Sequence, residues 1–474
     1  MTLTPQAPSG WQRLHPLTPL VRGGGIVVAL LIVLAGSAGG RRSGGSVLPY
    51  DLAFVALVVV MSLIKWLVTR WKLDGVTLRI ETGLLRRNSR QLPLARIQAV
   101  DVVRPFLARM LGLAELRIRL AGSNSASGRL AYLSGPLALD LRARLLAGHH
   151  GLDLATPEPA EHALATVPTG RLVGSTLLSL ATFTTVIAVA AIAALAQVSK
   201  PAAAATGGTT FVYILVLGRL TWRRVNEQYG FTVGQAADGI RIRRGLLGTI
   251  AETIPIQRVQ AVRKIEPLLW RPFGWCRLEV DIAGSPGREQ GTRSPSVTRS
   301  LLPVGPLDTA GVLLGTWLGL TGPALLRPPR RAKWKAPLSY HFLAAGHDAA
   351  LAAASTGRVR KVTTWVPLEK IQSIRRVQGP FQRRLGLASV HTDAAGRRVR
   401  AEFRDREVQE ANNLLKELTE LSRTARRRVT SQQSIASAPP SQHEVATPAT
   451  DSPGQHTSPE GRYQDPSARH QYRY

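Results

Sequence analysis

The side chains best suited to chemistry in this 474-residue chain are basic ones that recur in a fixed frame. Arg96, Arg258 and Lys370 each stand two residues before a glutamine: Gln98, Gln260 and Gln372. Arg109, Arg271 and Arg383 each stand three residues before a glycine: Gly112, Gly274 and Gly386. A guanidinium meets a phosphate or carboxylate through paired N–H groups, and an ammonium meets it as a point charge. The pattern therefore offers anion contact, with Arg96, Arg109, Lys370 and Arg383 as the candidate contacts to an anionic surface. A solvated charge is the plainer alternative. The glutamine offers an amide aimed at a ligand, or one spent on the backbone where a turn meets a strand. Its return in every copy favours the second, because a shared position reports a shared fold.

Catalytic chemistry finds little here. The chain has no G-x-x-x-x-G-K-[ST] phosphate loop and no H-E-x-x-H. His341, His347 and Asp348 read as solvated loop residues. A single cysteine, Cys276, excludes an internal disulfide and a cysteine metal cluster. No catalytic residue, metal or cofactor is expected. The formal charge of +31 calls for anionic partners, lipid headgroups or nucleic acid. Part of it reflects a bias of composition, arginine far outnumbering lysine. Aromatic residues make up 5% of the chain, few for stacking on bases, so nucleic acid is the unlikely partner of the two.

The elements that hold these residues form a forty-residue segment present three times without a gap: 83–122, 245–284 and 357–396. Pro93, Pro255 and Pro367 each lie ten residues after the opening glycine. A kept spacing with drifting side chains marks one structural unit used three times. Proline opens a helical turn, where its missing N–H costs nothing, and the turn leads into a strand near Ala99. Leu116, Ile118 and Leu120 alternate with Arg117 and Arg119 as a second strand. Closing helices are expected over 137–146, 307–318 and 405–421. Each unit thus reads as a small barrel-like sheet with a C-terminal helical plug. Copies one and three each carry eight basic and two acidic residues, and copy two carries five and four. Copies one and three are expected on a membrane surface, and copy two against another domain or a partner.

Four apolar blocks complete the pattern: 23–40, 52–68, 172–199 and 201–218. Their lengths suit bilayer spans of about 20 residues. The first has a signal peptide as its alternative. Trp66, Trp71 and Trp222, beside Lys65, Arg70, Arg219, Arg223 and Arg224, read as headgroup-zone ends, and the positive-inside rule puts them in the cytoplasm. Asp51 stands at the start of its block, so a transporter is disfavoured.

The hairpin-then-domain layout, the box ending in Ile-Gln or Val-Gln, the later Arg-x-x-Gly and the closing Ala-Gly resemble the bacterial pleckstrin-homology-like (PH-like) membrane proteins of the YdbS/YdbT type. The triple arrangement resembles the longer, YdbT-like members. The resemblance implies an α+β fold with transmembrane helices: two helical hairpins of four spans, and three PH-like β-barrel domains each closed by a C-terminal helix. It implies a multi-pass protein of the bacterial cell membrane with its PH-like domains in the cytoplasm. It implies no reaction, and it names a smaller single-domain PH-like membrane protein as one partner. Expected boundaries are an N-terminal segment (1–22), hairpin one (23–70), domain one (71–150), a linker (151–170), hairpin two (171–222), domain two (223–320), a basic Pro-rich connector (321–335), domain three (336–422) and a disordered tail (423–474). The expected function is a membrane scaffold that binds protein partners or anionic lipid. The alternative is a membrane-bound polyanion or nucleic-acid binder.

Overall fold

The computed structural model describes residues 10–21, 48–83, 87–120, 128–149, 162–196, 200–236, 239–282, 299–319, 322–394 and 400–437. The chain divides into two compact units, Met1–Arg427 and Arg428–Tyr474. The first unit holds every described strand.

Each repeat builds two antiparallel sheets joined by one turn of 3-10 helix. Repeat one has β1 (Gln12–Arg13), β2 (Arg70–Asp74), β3 (Thr77–Thr82) and β4 (Asn88–Pro93), the turn Leu94–Arg96, then β5 (Ile97–Arg104), β6 (Leu113–Leu120) and β7 (Gly128–Ser134). Helix Gly135–His149 closes it. Repeat two has β8 (His162–Thr166), β9 (Thr232–Ala236), β10 (Gly239–Arg244) and β11 (Thr249–Ile254), the turn Ile256–Arg258, then β12 (Val259–Pro267), β13 (Trp275–Ile282) and β14 (Arg299–Pro306), with helix Leu307–Leu318. Repeat three has β15 (Ala344–His347), β16 (Leu351–Thr356) and β17 (Arg360–Pro367), the turn Leu368–Lys370, then β18 (Ile371–Val377), β19 (Leu387–Ala394) and β20 (Arg400–Glu407). Its closing helix, Val408–Ser437, runs past the residue at which the sequence reading starts the tail. Residues 438–474 lie outside the described residues.

The spacing of the repeat has a local cause at each position. Pro93, Pro255 and Pro367 hold φ at −62°, −64° and −60°, the value that their ring imposes, and each precedes a 3-10 turn. Gly112, Gly274 and Gly386 hold φ at +67°, +63° and +66°. A Cβ is strained there, so glycine is the residue that lets the chain reverse into the next strand. Between these points, strand pairing shifts register at Ile97/Ala99, Val259/Ala261 and Ile371/Ser373. The glutamines are thus the extra residue of a β-bulge in every copy, each following a buried aliphatic residue, Ile97, Val259 or Ile371.

The repeats are not three separate barrels. Among the described residues there are four sheets, of four, seven, six and three strands. The first is β1–β4. The second runs β7-β6-β5-β11-β10-β9-β8, so repeat one passes directly into repeat two. The third runs β14-β13-β12-β17-β16-β15 and joins repeats two and three. The fourth is β18-β19-β20. Among the described residues, apolar clusters that include Ile97 and Leu116, Trp270 and Leu278, and Val390 and Phe403 fill the three repeats, and a smaller one in repeat one joins Val21 to Ala108, Leu113 and Tyr132.

The expected transmembrane hairpins require correction. Among the described residues no single helix is long and apolar enough to cross a membrane. The block 172–199 is two helices, Thr169–Leu177 and Leu180–Ala196, bent by 50° between Thr169–Leu177 and Thr182–Ala191. The break has a local origin: the Ser179 hydroxyl accepts the Thr182 N–H at 3.2 Å, an N-cap that starts a new helix. Leu172 is 1% exposed within the core of repeat two, and the Ser175 carbonyl accepts the Trp270 indole N–H at 3.1 Å. Part of this block is therefore apolar because it is core. Among the described residues this bent pair is the one stretch whose length and composition would suit a crossing. Trp71 is 2% exposed, and Trp66 donates its indole N–H to the Leu14 carbonyl at 2.9 Å, so neither stands free at the end of the helix Leu48–Val68. Block 201–218 lies in the longer helix Lys200–Gln228, which carries Arg219, Arg223 and Arg224 as well. Block 23–40 lies outside the described residues. The segment before it adds β1 to β2 and buries Leu14 and Val21 in repeat one.

Candidate binding sites

Two features present groups that could hold a partner: the junctions between repeats, and a basic cleft on repeat one.

At the first junction β5 pairs antiparallel with β11, with Val103 opposite Ile250 and Val102 opposite Ala251. At the second, β12 pairs with β17, with Ile265 opposite Val362 and Lys264 opposite Thr363. Superposing the repeats turns one register into the other, so the two junctions are the same interface made twice. Each is closed by the repeated arginine. Arg109 donates to the Leu246 carbonyl at 2.5 Å, and Arg271 to the Arg358 carbonyl at 2.7 Å. These carbonyls occupy equivalent places, in the hairpin turn of the following repeat. Arg271 also lies 5.0 Å from the Phe342 ring centre.

Acids of repeat two complete both junctions. Glu252 of β11 faces Arg119 of β6 at 3.4 Å, and Arg119 also pairs with the buried Asp101. Burial pushes the Asp101 carboxyl up, against the pull of Arg119. Glu266 of β12 meets Lys361 at 3.6 Å, and Glu279 of β13 meets Arg360 at 3.9 Å. Each of these acids also pairs within its own repeat, Glu252 with Arg299, Glu266 with Lys264 at 3.1 Å and Glu279 with Arg263 at 3.0 Å, so copy two shares its acids between its own sheets and its neighbours. Sequence reasoning singled out none of these three glutamates; the low net charge of that copy was the signal that pointed to them.

The cleft encloses about 410 Å³ and is lined by Trp11, Arg13, Arg70, Arg87 and Glu81, among others. Arg70 stacks over the Trp11 ring at 4.7 Å and pairs with Glu81 at 2.9 Å. Three arginines against one carboxylate leave a positive site beside an aromatic face. The sequence reading passed over Trp11 and Arg13 because they fall before the repeat frame. The structure brings them to Arg70 through the pairing of Gln12 with Trp71 and of Arg13 with Arg70.

The sequence-derived contacts do not converge on one place. Arg96 is exposed, and Lys370 pairs with its neighbour Glu369 at 2.9 Å; each ends its own 3-10 turn. Arg109 is at the first junction. Arg383 stands at the equivalent place in repeat three, exposed, with no fourth repeat beyond it among the described residues. Gln260 is buried and Gln372 is exposed, a difference that follows the presence of β17 beside β12. His341, His347 and Asp348 form no cluster with a third ligand: among the described residues no group of three such side chains could hold a metal ion.

A family model described as the bacterial PH domain matches the chain three times, over residues 24–149, 173–302 and 299–422. No curated protein and no solved structure gives a match. The three matches together cover most of the chain, one to each repeat, and by them the chain belongs to the bacterial PH domain family.

Proposed function

We propose that this protein is a non-catalytic binding scaffold, a row of three bacterial PH domains that holds anionic lipid headgroups at its first domain. Membership of the bacterial PH domain family supports a binding role, and the three-repeat layout supports the YdbT-like branch. The observation that carries the lipid reading is the Trp11 cleft. Arg13 and Arg87 supply N–H donors to a phosphate, Arg70 being paired with Glu81 and stacked on Trp11, and the part of Trp11 left exposed adds the amphipathic surface that headgroup regions favour. Repeat two is flanked on both sides by its neighbours, which leaves repeats one and three as the ends available to a partner.

Flotation of the full chain with vesicles of phosphatidylglycerol or of phosphatidylcholine tests this. Each basic residue near an anionic leaflet contributes about 1 kcal/mol, so R13E/R87E weakens binding to phosphatidylglycerol by at least ~30-fold. Binding that is unchanged by R13E/R87E, or equal on the two lipids, overturns the assignment.

A further inference from the structure

The two junctions are one interface repeated, and its donor half occurs a third time with nothing on it. β5 and β12 each have a neighbour on both sides; β18 pairs with β19 alone among the described residues. The consequence is visible in burial. Val103 and Ile265 are 8% and 2% exposed, and the equivalent Val377 is 41% exposed. Arg383 projects from the position at which Arg109 and Arg271 hold the hairpin of a following repeat.

We propose that β18 is a docking edge for an acidic β-hairpin of another protein, which adds to the sheet in the register of the two internal junctions. In that register an aliphatic residue of the incoming strand meets Val377, acids meet Arg375 and Arg376, and a carbonyl of the hairpin turn meets Arg383. This goes beyond the lipid reading and does not rest on the Trp11 cleft.

The charge pattern selects the occupant. A second copy of this chain has one unpaired strand of the acceptor kind, β4, and its sequence is wrong for the site. The shared register would set Arg90 opposite Arg375, Ser89 opposite Arg376 and Asn88 opposite Val377. Like charges directly opposite on paired strands repel, and a polar residue replaces the aliphatic partner of both internal junctions. Charged side chains on an edge strand are the usual guard against end-to-end growth. At the internal junctions the acids are Glu252, Glu266 and Glu279. Arg90, Gln378 and His391 stand at the equivalent outer positions; within the chain Arg375 pairs with Asp393 at 3.2 Å and Arg376 donates to the Asn412 amide oxygen at 2.7 Å, and an acid across the open edge has to come from the partner.

The test makes β4 acidic and uses the full chain as its own probe. Ser89 and Arg90 are exposed, so S89E/R90E retains the fold, checked by near- and far-UV circular dichroism. In sedimentation velocity at 1–100 µM, wild type stays monomeric. S89E/R90E forms concentration-dependent head-to-tail oligomers. Adding R375E/R376E to that variant returns it to monomer, which a misfolded aggregate would not do. Adding R383A instead weakens the association about tenfold. An S89E/R90E chain that is folded and monomeric throughout overturns the docking edge. Assembly by wild type overturns the choice of a foreign acidic partner in favour of a second copy. Oligomers that persist with R375E/R376E overturn the placement on β18.

Discussion

Arg271, in a 3-10 helix, and Arg383, in a short α-helix, each stand three residues before a left-handed glycine, yet among the described residues only Arg271 has a following repeat to hold. Truncating each to alanine therefore measures the junction by difference. Arg271→Ala removes a charged hydrogen bond of 2.7 Å to the Arg358 carbonyl and a cation–ring contact of 5.0 Å to Phe342. A hydrogen bond to a charged group contributes about 1.5–3 kcal/mol, and solvent access here holds it to the lower end. The ring contact adds about 0.5 kcal/mol. Together these give about 2 kcal/mol, or ~30-fold in the opening of the junction. Because several packed repeats need not unfold in one step, amide hydrogen exchange is the right assay. Arg271→Ala should speed exchange at Arg360–Trp365 of β17 by about thirtyfold and leave β18 and β19 unchanged. Arg383→Ala, at an exposed position, should change stability by less than about 0.5 kcal/mol. Equal effects from the two substitutions, or acceleration spread evenly over repeat three, would show that the arginine supports its own turn and not the neighbouring repeat.

Further outcomes follow from burial and backbone geometry. The Cys276 thiol is pushed up to about 12 by burial, so Ellman's reagent at pH 8 should leave native protein untouched and react fully in denaturant; rapid native labelling would contradict the packing of β13. Glu402 is held at about 2, below its ordinary 4.5, first by the hydrogen bond from His391 against the opposing effect of burial, with Arg404 adding. A depressed carboxylate stabilises the fold above the unfolded value and loses that contribution as pH falls through the folded one. The stability gap between wild type and E402Q should therefore close between about pH 5 and pH 2, and a gap constant over that range would refute the assignment. Gly274→Ala meets nothing within 4 Å and should cost about 1 kcal/mol, purely for its left-handed backbone. Gly245→Ala brings a Cβ to 1.9 Å from the Gly248 carbonyl oxygen and should cost about 3 kcal/mol, read by urea unfolding.

The amino-acid sequence alone determined the repeat and the shape of its frame. Proline fixed φ before each 3-10 turn, glycine permitted the left-handed reversal, and alternation marked β6, all through interactions within a few residues. The glutamines were marked by their spacing, but that each is the extra residue of a bulge was decided by pairing with the next strand, β6, β13 or β19. Tertiary structure alone decided how the arginines of that frame are used. Arg109, Arg271 and Arg383 are locally alike, and what separates them is a carbonyl far along the chain, present for two and absent for the third among the described residues. The same holds for the apolar block after Leu172. Hydropathy records that a segment avoids water but not what replaces the water, and here part of the answer is the core of repeat two. Charge was legible only in part: the small net charge of copy two pointed to another domain or a partner, and which bases its acids meet across the junctions, Arg119, Lys361 and Arg360, was decided by the pairing of strands. Local rules fix conformation because their partners are adjacent in the chain. Partnership between distant residues waits on which sheet edges meet.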